Sequence, residues 1–497
     1  MPYSFRSSRP LHKTQKPSGW FPLSVSSNGR YLVDVQGRPF IGFGEAAWQI
    51  VTDADSTDIE TYFADRRSRG FNMAIVQITS SVKYVSGSAA PGARAIGNAF
   101  PYLKNTSGGV WDGDPTFTHF DADFSSPNDA YWDWFDTIVR RAEYYGFVLV
   151  VDPIYWGFNL GAADGWYQTI GNSVNTQSVC LAHGQYLGAR WKNHTNLILS
   201  MGTDTFPTPG SETSARIAKL QDGLISAGCH FLTLAHLQRS SGSLDHADFA
   251  SYMTVRGCYT GTDNASAFAC NYARMRQEFA ASPTMPVICV ESNYEVDRTR
   301  TQLRTLAWQG ILSSIAGYAG FGNDSIAAFN RTTDTINTPG VPFPWQNSLS
   351  SNGSLDLQTL WTFVTARGAS WPLLEPRGLG SAGTLVTAGG GTLQTMASAH
   401  PTNNATALHD NTDGQDYVTA ARATDGSLVV AYLPPSHTGS VTIDMTTLRG
   451  TVTARWFDPT NGTYSSIGSF SNTGTQAFTT TGNNAAGDAD WVLILEA

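Results

Sequence analysis

Charge is scarce in this 497-residue chain: Asp, Glu, Lys and Arg together make up 14%, against roughly a quarter in an ordinary globular domain. Ser, Thr, Asn, Gln and Gly must therefore carry the surface, a profile that suits an exported protein. The charge that is present, 31 basic against 40 acidic residues for a net −9, forms no long run of either sign. That excludes a nucleic acid or an anionic membrane as the expected partner and favours a neutral polar one. Long apolar runs are also missing, and nothing approaches the ~20 residues of a membrane span. The N-terminal segment MPYSFRSSRPLHKTQKPSGW is basic without an apolar h-region. Export to the exterior or periplasm is thus expected from composition, with the chain beginning at a mature or recloned start.

Cysteine is sparse as well. The five residues Cys180, Cys229, Cys258, Cys270 and Cys289 contain no CxxC. Cys258 and Cys270 close a short loop and are the candidate disulfide, while buried thiols suit each of the five equally well. HExxH is absent and the ten histidines show no metal-ligand spacing, so neither a metal nor a cofactor is expected. A GxSxG elbow and a P-loop are missing, and GFGEAAW falls short of the dinucleotide-binding GxGxxG.

What is present is alternation. GRYLVDVQGRPF reads as a β-hairpin turning at Gly37. Beyond it, short apolar strands alternate with helical segments, the pattern of βα units and a parallel sheet. Eight strands are expected, at 40–44, 73–78, 147–151, 197–201, 231–235, 251–255, 287–290 and 317–321. The clearest helix, NDAYWDWFDTIVRRAEYYG, has Asn128 as N-cap, Gly146 at its C-terminal turn, and Tyr131, Trp132, Phe135, Ile138, Val139 and Ala142 on one face. The fold class read from this is α/β, a (β/α)8 barrel over residues 29–375 behind a tail of residues 1–28; a doubly wound sheet is the alternative. After Leu374 the helical pattern stops. Short alternating segments separated by turns (YVTAAR, LVVAYLP, VTIDM, VTARWFDP, TQAFTTT, DWVLILEA) predict an all-β sandwich over residues 376–497.

In such a barrel the reactive groups project from the carboxyl ends of the strands. The residues expected there are Glu45, Trp48, Gln77, Asp152, Trp156, Asp204, His236, Tyr259, Glu291, Tyr318 and Asn323. Asp204, in LILSMGTD, and Glu291, in PVICVES, could supply the two carboxyl groups that acetal cleavage requires. One donates a proton to the departing oxygen and the other meets the developing oxocarbenium ion. The other nine are candidates for holding sugar hydroxyls, with Trp48 and Trp156 offering aromatic faces. A carboxylate at a strand end can also cap a helix or form a salt bridge, which keeps a non-catalytic carbohydrate-binding or adhesion protein as the rival reading.

Several of these segments occur in an order that resembles a known family. GRYLVDVQGRPFIGFGEAAW, GFNMAIVQI, the helix-and-strand run ending VDPIYWG, NLILSMGTD, PVICVESNYE and the terminal ARWFDPTNG together resemble the apiosidase-like glycoside hydrolases, the group containing glycoside hydrolase family 140. The likeness spans Gly29 to Ala497. It implies a retaining double displacement on a polysaccharide or oligosaccharide, with Glu291 as nucleophile and Asp204 as general acid/base. It also implies a C-terminal sandwich resembling a module labelled collagen-binding. The chain departs from the family pattern at Glu45, where aspartate is usual, at MGTD in place of Gly-Gly-Asp, and at TVRGCY, so the resemblance does not carry the identity of the sugar.

Overall fold

The computed structural model describes residues 19–79, 99–110, 122–157, 165–202, 204–261, 269–331, 344–394 and 415–497. A small antiparallel sheet comes first, formed by β1 (Ser24–Val25), β2 (Leu32–Val33) and β3 (Pro39–Phe40), and the expected hairpin turn carries Gly37 at φ +76°. The barrel strands follow: β4 (Gly42–Ala46), β5 (Met73–Gln77), β6 (Val148–Asp152), β7 (Leu197–Ser200), β8 (Leu232–Leu234), β9 (Arg256–Tyr259), β10 (Val287–Glu291) and β11 (Gly317–Phe321). They pair in parallel in the order β8-β7-β6-β5-β4-β11-β10-β9. The seam between β8 and β9 is bridged rather than laddered. Thr254 and Val255 donate backbone N–H groups to Thr233 O at 2.9 and 3.1 Å, and the Ser243 hydroxyl accepts from Ala235 N and Gly257 N at 2.8 and 2.7 Å.

The sixth barrel strand lies later than 251–255. Ala250–Tyr252 form a 3-10 turn and the ladder with β10 starts at Arg256. The strand thus begins on a charged residue: Arg256 is buried and pairs with Glu278 Oε2 at 2.7 Å. The expected Cys258–Cys270 bridge falls on a side chain, that of Cys270, outside the described residues.

The helices are α1 (Ile50–Asp53), α2 (Ser56–Ser68), α3 (Asp129–Tyr145), α4 (Tyr167–Gly171), α5 (Gln177–Trp191), α6 (Glu212–Ser226), α7 (Ala269–Ala280), α8 (Arg300–Ser314), α9 (Asp324–Ala327) and α10 (Asn352–Thr365). Asn128 caps α3 through Ala130 N, and Gly146 ends it at φ 76°, the left-handed conformation that glycine adopts without a Cβ clash.

Period-two alternation sorts the strand side chains into two layers. Met73, Ile75, Val148, Val150, Ile198, Leu234, Ile288 and Val290 fill the barrel interior. Phe43, Ala74, Val76, Leu149, Val151, Leu199, Cys258, Cys289 and Tyr318 face outward into the layer shared with the helices. Interior space next to β4 is made by glycine: a Cβ at Gly44 would stand 2.3 Å from Met73 O.

The C-terminal part is two antiparallel sheets. One holds β12 (Leu374–Pro376), β14 (Thr419–Ala423), β15 (Leu428–Leu433), β20 (Trp491–Glu496), β17 (Val452–Phe457) and β18 (Tyr464–Phe470). The other holds β13 (Val386–Ala388), β16 (Ser440–Asp444) and β19 (Thr475–Thr479). Val429, Ala431, Leu493 and Leu495 pack between the sheets, whereas Val430, Tyr432, Val492 and Ile494 join the barrel's outer core. A strand buried on both faces has no polar side to show, which is why LVVAYL and WVLIL are continuously apolar. Tyr432 stacks on Trp308 of α8 with centroids 5.9 Å apart. Beside it, Arg304 reaches Asp490 through two nitrogens at 2.8 and 2.7 Å, Asp356 at 3.0 Å and Asp488 at 2.8 Å. Barrel and sandwich are thus locked by an apolar face and a buried ionic cluster.

Candidate active site

The interior register carries Gln77, Asp152, His236 and Tyr259 to the carboxyl end of the barrel, since each shares parity with inward residues of its own strand. Gln77 and Asp152 are direct partners across β5 and β6. Asp152 Oδ1 accepts from Ile154 N at 3.3 Å, which turns the chain toward Trp156. Trp156 lies next to the loop after β7: a Cβ on Gly202 would be 3.7 Å from its Cδ1.

Alternation alone would turn Glu291 outward with Cys289. The register with β9 slips between them, however, so that Cys289 faces Cys258 and Glu291 faces Tyr259. This β-bulge inserts one residue and re-aims the side chain that follows. Glu291 therefore enters the mouth, where Oε1 accepts a hydrogen bond from the Tyr294 hydroxyl at 2.9 Å. Tyr294 in turn accepts one from Trp48 Nε1. His236 Nε2 stands 2.9 Å from Glu291 Oε2, in ion-pair range but off the hydrogen-bond line. The imidazole is fixed by stacking on Trp48, 5.7 Å between centroids at 18°, and by the edge of Tyr259 at 5.2 Å.

Asp204 arrives from the other side. The Ser200 hydroxyl donates to Gly202 O at 2.9 Å and accepts from His236 N at 3.2 Å. Gly202 and Asp204 both take positive φ, 84° and 57°. Asp tolerates the left-handed region better than most residues, yet its occupation costs energy and marks a position held by its surroundings. Here the holding bond is Asp204 N to His236 O, 3.1 Å. One histidine thus bonds the backbone of Asp204 and approaches the carboxylate of Glu291.

The electrostatics tie the two acids together as well. Burial, followed by the charges of Asp204 and Glu291, pushes the Tyr259 phenol well above its ordinary value, against the opposing pull of Arg239. Tyr259 first, and further down the order Asp204 and Glu291, raise the Arg239 guanidinium despite its burial. Arg239 Nε donates to the Tyr259 hydroxyl at 3.2 Å. Both carboxylates therefore lie within electrostatic reach of one phenol–guanidinium pair.

Three expected members stand elsewhere. Glu45 has the parity of outward Phe43 and is fully buried against Arg66 of α2, at 2.5 Å to Nε and 3.2 Å to Nη2. Burial raises its pKa and Arg66 opposes that rise. Tyr318 also points outward, onto α8, where a Cβ at Gly310 would lie 2.8 Å from its ring. Asn323 caps α9, accepting from Ser325 N and Ile326 N at 3.1 Å each, and donates to Glu295 Oε2 at 2.5 Å. Two residues of the cluster were missed, Tyr294 and Arg239. Each lies three positions beyond a selected residue, in ESNYE and HLQR, and that proximity was the available signal. Among the described residues no group of three or more His, Cys, Asp or Glu is arranged to hold a metal ion.

Comparison with known proteins makes the class explicit: the chain is a glycoside hydrolase. The family model described as "Apiosidase-like, catalytic domain" matches residues 26–369, and the chain belongs to that family. A second model, "Putative collagen-binding domain of a collagenase", matches residues 403–496. Among solved structures, one described as a glycoside hydrolase aligns at 18% identity over 96% of this chain and 97% of its own, with TM-score 0.70. A glycoside hydrolase family 5 protein from Bacteroides vulgatus aligns at 18% identity over 96% and 93%, with TM-score 0.72. At that identity they establish the shared barrel-and-sandwich fold. No curated protein matches the sequence.

Proposed function

We propose that the protein cleaves a glycosidic bond of a polysaccharide or oligosaccharide with retention of configuration, using Glu291 as nucleophile and Asp204 as general acid/base. The observation that carries this reading is their convergence on His236: Asp204 through its backbone at 3.1 Å and Glu291 through its carboxylate at 2.9 Å. In the first step a Glu291 oxygen bonds to the anomeric carbon while the bond to the departing oxygen breaks, and the Asp204 carboxyl delivers its proton to that oxygen. In the second, Asp204 takes a proton from water as the water oxygen attacks the anomeric carbon and Glu291 leaves. Double displacement of this kind works with carboxyl groups ~5 Å apart.

The supporting residues have distinct duties in this scheme. Tyr294, backed by Trp48, orients one oxygen of Glu291, and His236 flanks the other. Gln77, Asp152, Trp156 and Tyr259 offer polar and aromatic surface around the sugar. Glu45, Tyr318 and Asn323 belong to the supporting structure. Export of the protein to the exterior or periplasm fits its low charge content. No helix among the described residues is long and apolar enough to cross a membrane.

Glu291→Ala and Asp204→Ala variants, measured on a panel of glycans that the wild type cleaves, test the assignment. Each should lose at least about 100-fold in kcat. Undiminished turnover in either would remove that residue from its role. Full binding of glycans by the wild type with turnover of none would favour the rival carbohydrate-binding protein.

A further inference from the structure

At the opposite end of the barrel, where the hairpin, the end of α7 and the first sandwich strand meet, lies a cleft of about 440 Å³. Its lining includes Arg30, Arg276, Arg377 and Glu375, with Phe279 as an apolar wall. Three guanidinium groups against one carboxylate leave an excess of two positive charges, in a chain whose net charge is −9. The arginines are held in place. Arg30 Nη1 donates to Phe279 O at 2.5 Å and its guanidinium lies 3.9 Å over the Phe279 ring. Arg276 Nη1 donates to Tyr417 OH at 3.0 Å and to Leu379 O. Arg377 is held by Glu375 and Ala382 O.

A guanidinium has five N–H donors, and Arg30 and Arg276 each commit only Nη1 to these bonds. Burial lowers the pKa of Arg30; Glu375 opposes that effect and Arg256 adds to it. Cations partly withdrawn from water and pre-oriented by their neighbours gain from an incoming anion, because the ordering cost has already been met.

Resting on the reading of the protein as a glycoside hydrolase, we propose that this cleft is a non-catalytic subsite for an acidic saccharide, one bearing carboxylate or sulfate groups. Its volume is that of a small-ligand site. It flanks the amino end of β10, so a sugar held there is remote from Glu291 at the carboxyl end. The subsite would retain a charged chain rather than present a bond for cleavage. Net charge favoured a neutral partner; the local charge of this cleft favours an anionic one.

The test is binding by the full chain carrying Glu291→Ala, which removes turnover from the readout. Polygalacturonate, dextran sulfate and neutral dextran are compared by affinity electrophoresis and calorimetry at low salt and at 0.2 M salt. We expect retention by an acidic polymer and none by neutral dextran, with the carboxylated and sulfated arms identifying which anion is preferred. The Arg30→Gln/Arg276→Gln double variant should bind about tenfold more weakly. Glu375→Gln, which removes the opposing charge, should bind more tightly and guards against misreading a misfolded arginine variant. Absence of binding to both acidic polymers, equal retention by neutral dextran, or binding indifferent to all three substitutions would overturn the proposal. Turnover of a small aryl glycoside by the double variant on a wild-type Glu291 background should be unchanged. Failure of the catalytic assignment would leave the binding result standing.

Discussion

Replacing Tyr294 with phenylalanine removes one hydroxyl and keeps the ring. In the wild type that hydroxyl donates to Glu291 Oε1 at 2.9 Å and accepts from Trp48 Nε1. A hydrogen bond to a charged group is worth about 1.5–3 kcal/mol. If the bond serves the reacting carboxylate, its loss enters the barrier at about 1.4 kcal/mol per factor of ten, so kcat should fall about 10- to 150-fold. Tyr294 is a positioning residue in this account, so KM should stay within about twofold. Trp48→Phe keeps the bond to Glu291 while removing its support and shrinking the ring stacked on His236, and should lose less, about 3- to 10-fold. The assay is steady-state hydrolysis of an aryl glycoside that the wild type cleaves, with thermal unfolding as the control for folding. A Tyr294→Phe enzyme with wild-type kcat would refute the reasoning. A change confined to KM would transfer Tyr294 from the nucleophile to the sugar.

Arg304→Met should cost about 3–5 kcal/mol by leaving Asp490 buried without its cation, while Asp356 keeps Arg300 at 2.6 Å. Thermal unfolding reads the loss, and a wild-type melting temperature in the variant contradicts the argument. Glu45→Ala should destabilise by about 1.5–3 kcal/mol, since the buried Arg66 loses its bonds to Glu45 and keeps only Asp65 and Leu349 O, while kcat of the folded enzyme is retained; a kcat loss with unchanged stability would return Glu45 to the site. Asp324 is raised to about 6 by burial and by Asp297 and Glu295, so between about pH 4 and pH 6 the native state holds a proton that the unfolded chain has released. Its contribution therefore falls as pH rises through that window, by about 2–3 kcal/mol in full. Asp324→Asn should raise the melting temperature above pH 7 and change it little near pH 4, and the opposite pattern would show that the sign is wrong.

The strands were legible because buried β-segments leave apolar runs, and the ends of seven of the eight fell close to their expected places. The sixth did not, because a buried, ion-paired Arg256 looks in sequence like a surface residue. The site was legible as a set of strand ends but only partly as a set of directions. Parity explains both the outward turn of Glu45 and Tyr318 and the inward turn of Gln77 and Asp152, so that much could have been read by counting from Phe43 or Met73. Glu291 is the exception. Parity points it outward, and only the bulge opposite Tyr259 brings it into the mouth; a register slip depends on the neighbouring strand and leaves no mark in PVICVES. The polar strand β18, with its sequence YSSIGSF largely exposed at a sheet edge, was likewise missed, because an edge strand need not alternate to be stable.

Chemical rescue tests the central claim most directly. Full-length Glu291→Ala, incubated with an activated aryl glycoside and azide, should recover turnover and yield a glycosyl azide of inverted anomeric configuration, read by NMR. The wild type on the same substrate should release sugar of retained configuration. Inversion by the wild type, or rescue of Asp204→Ala in place of Glu291→Ala to an inverted azide, would contradict the account.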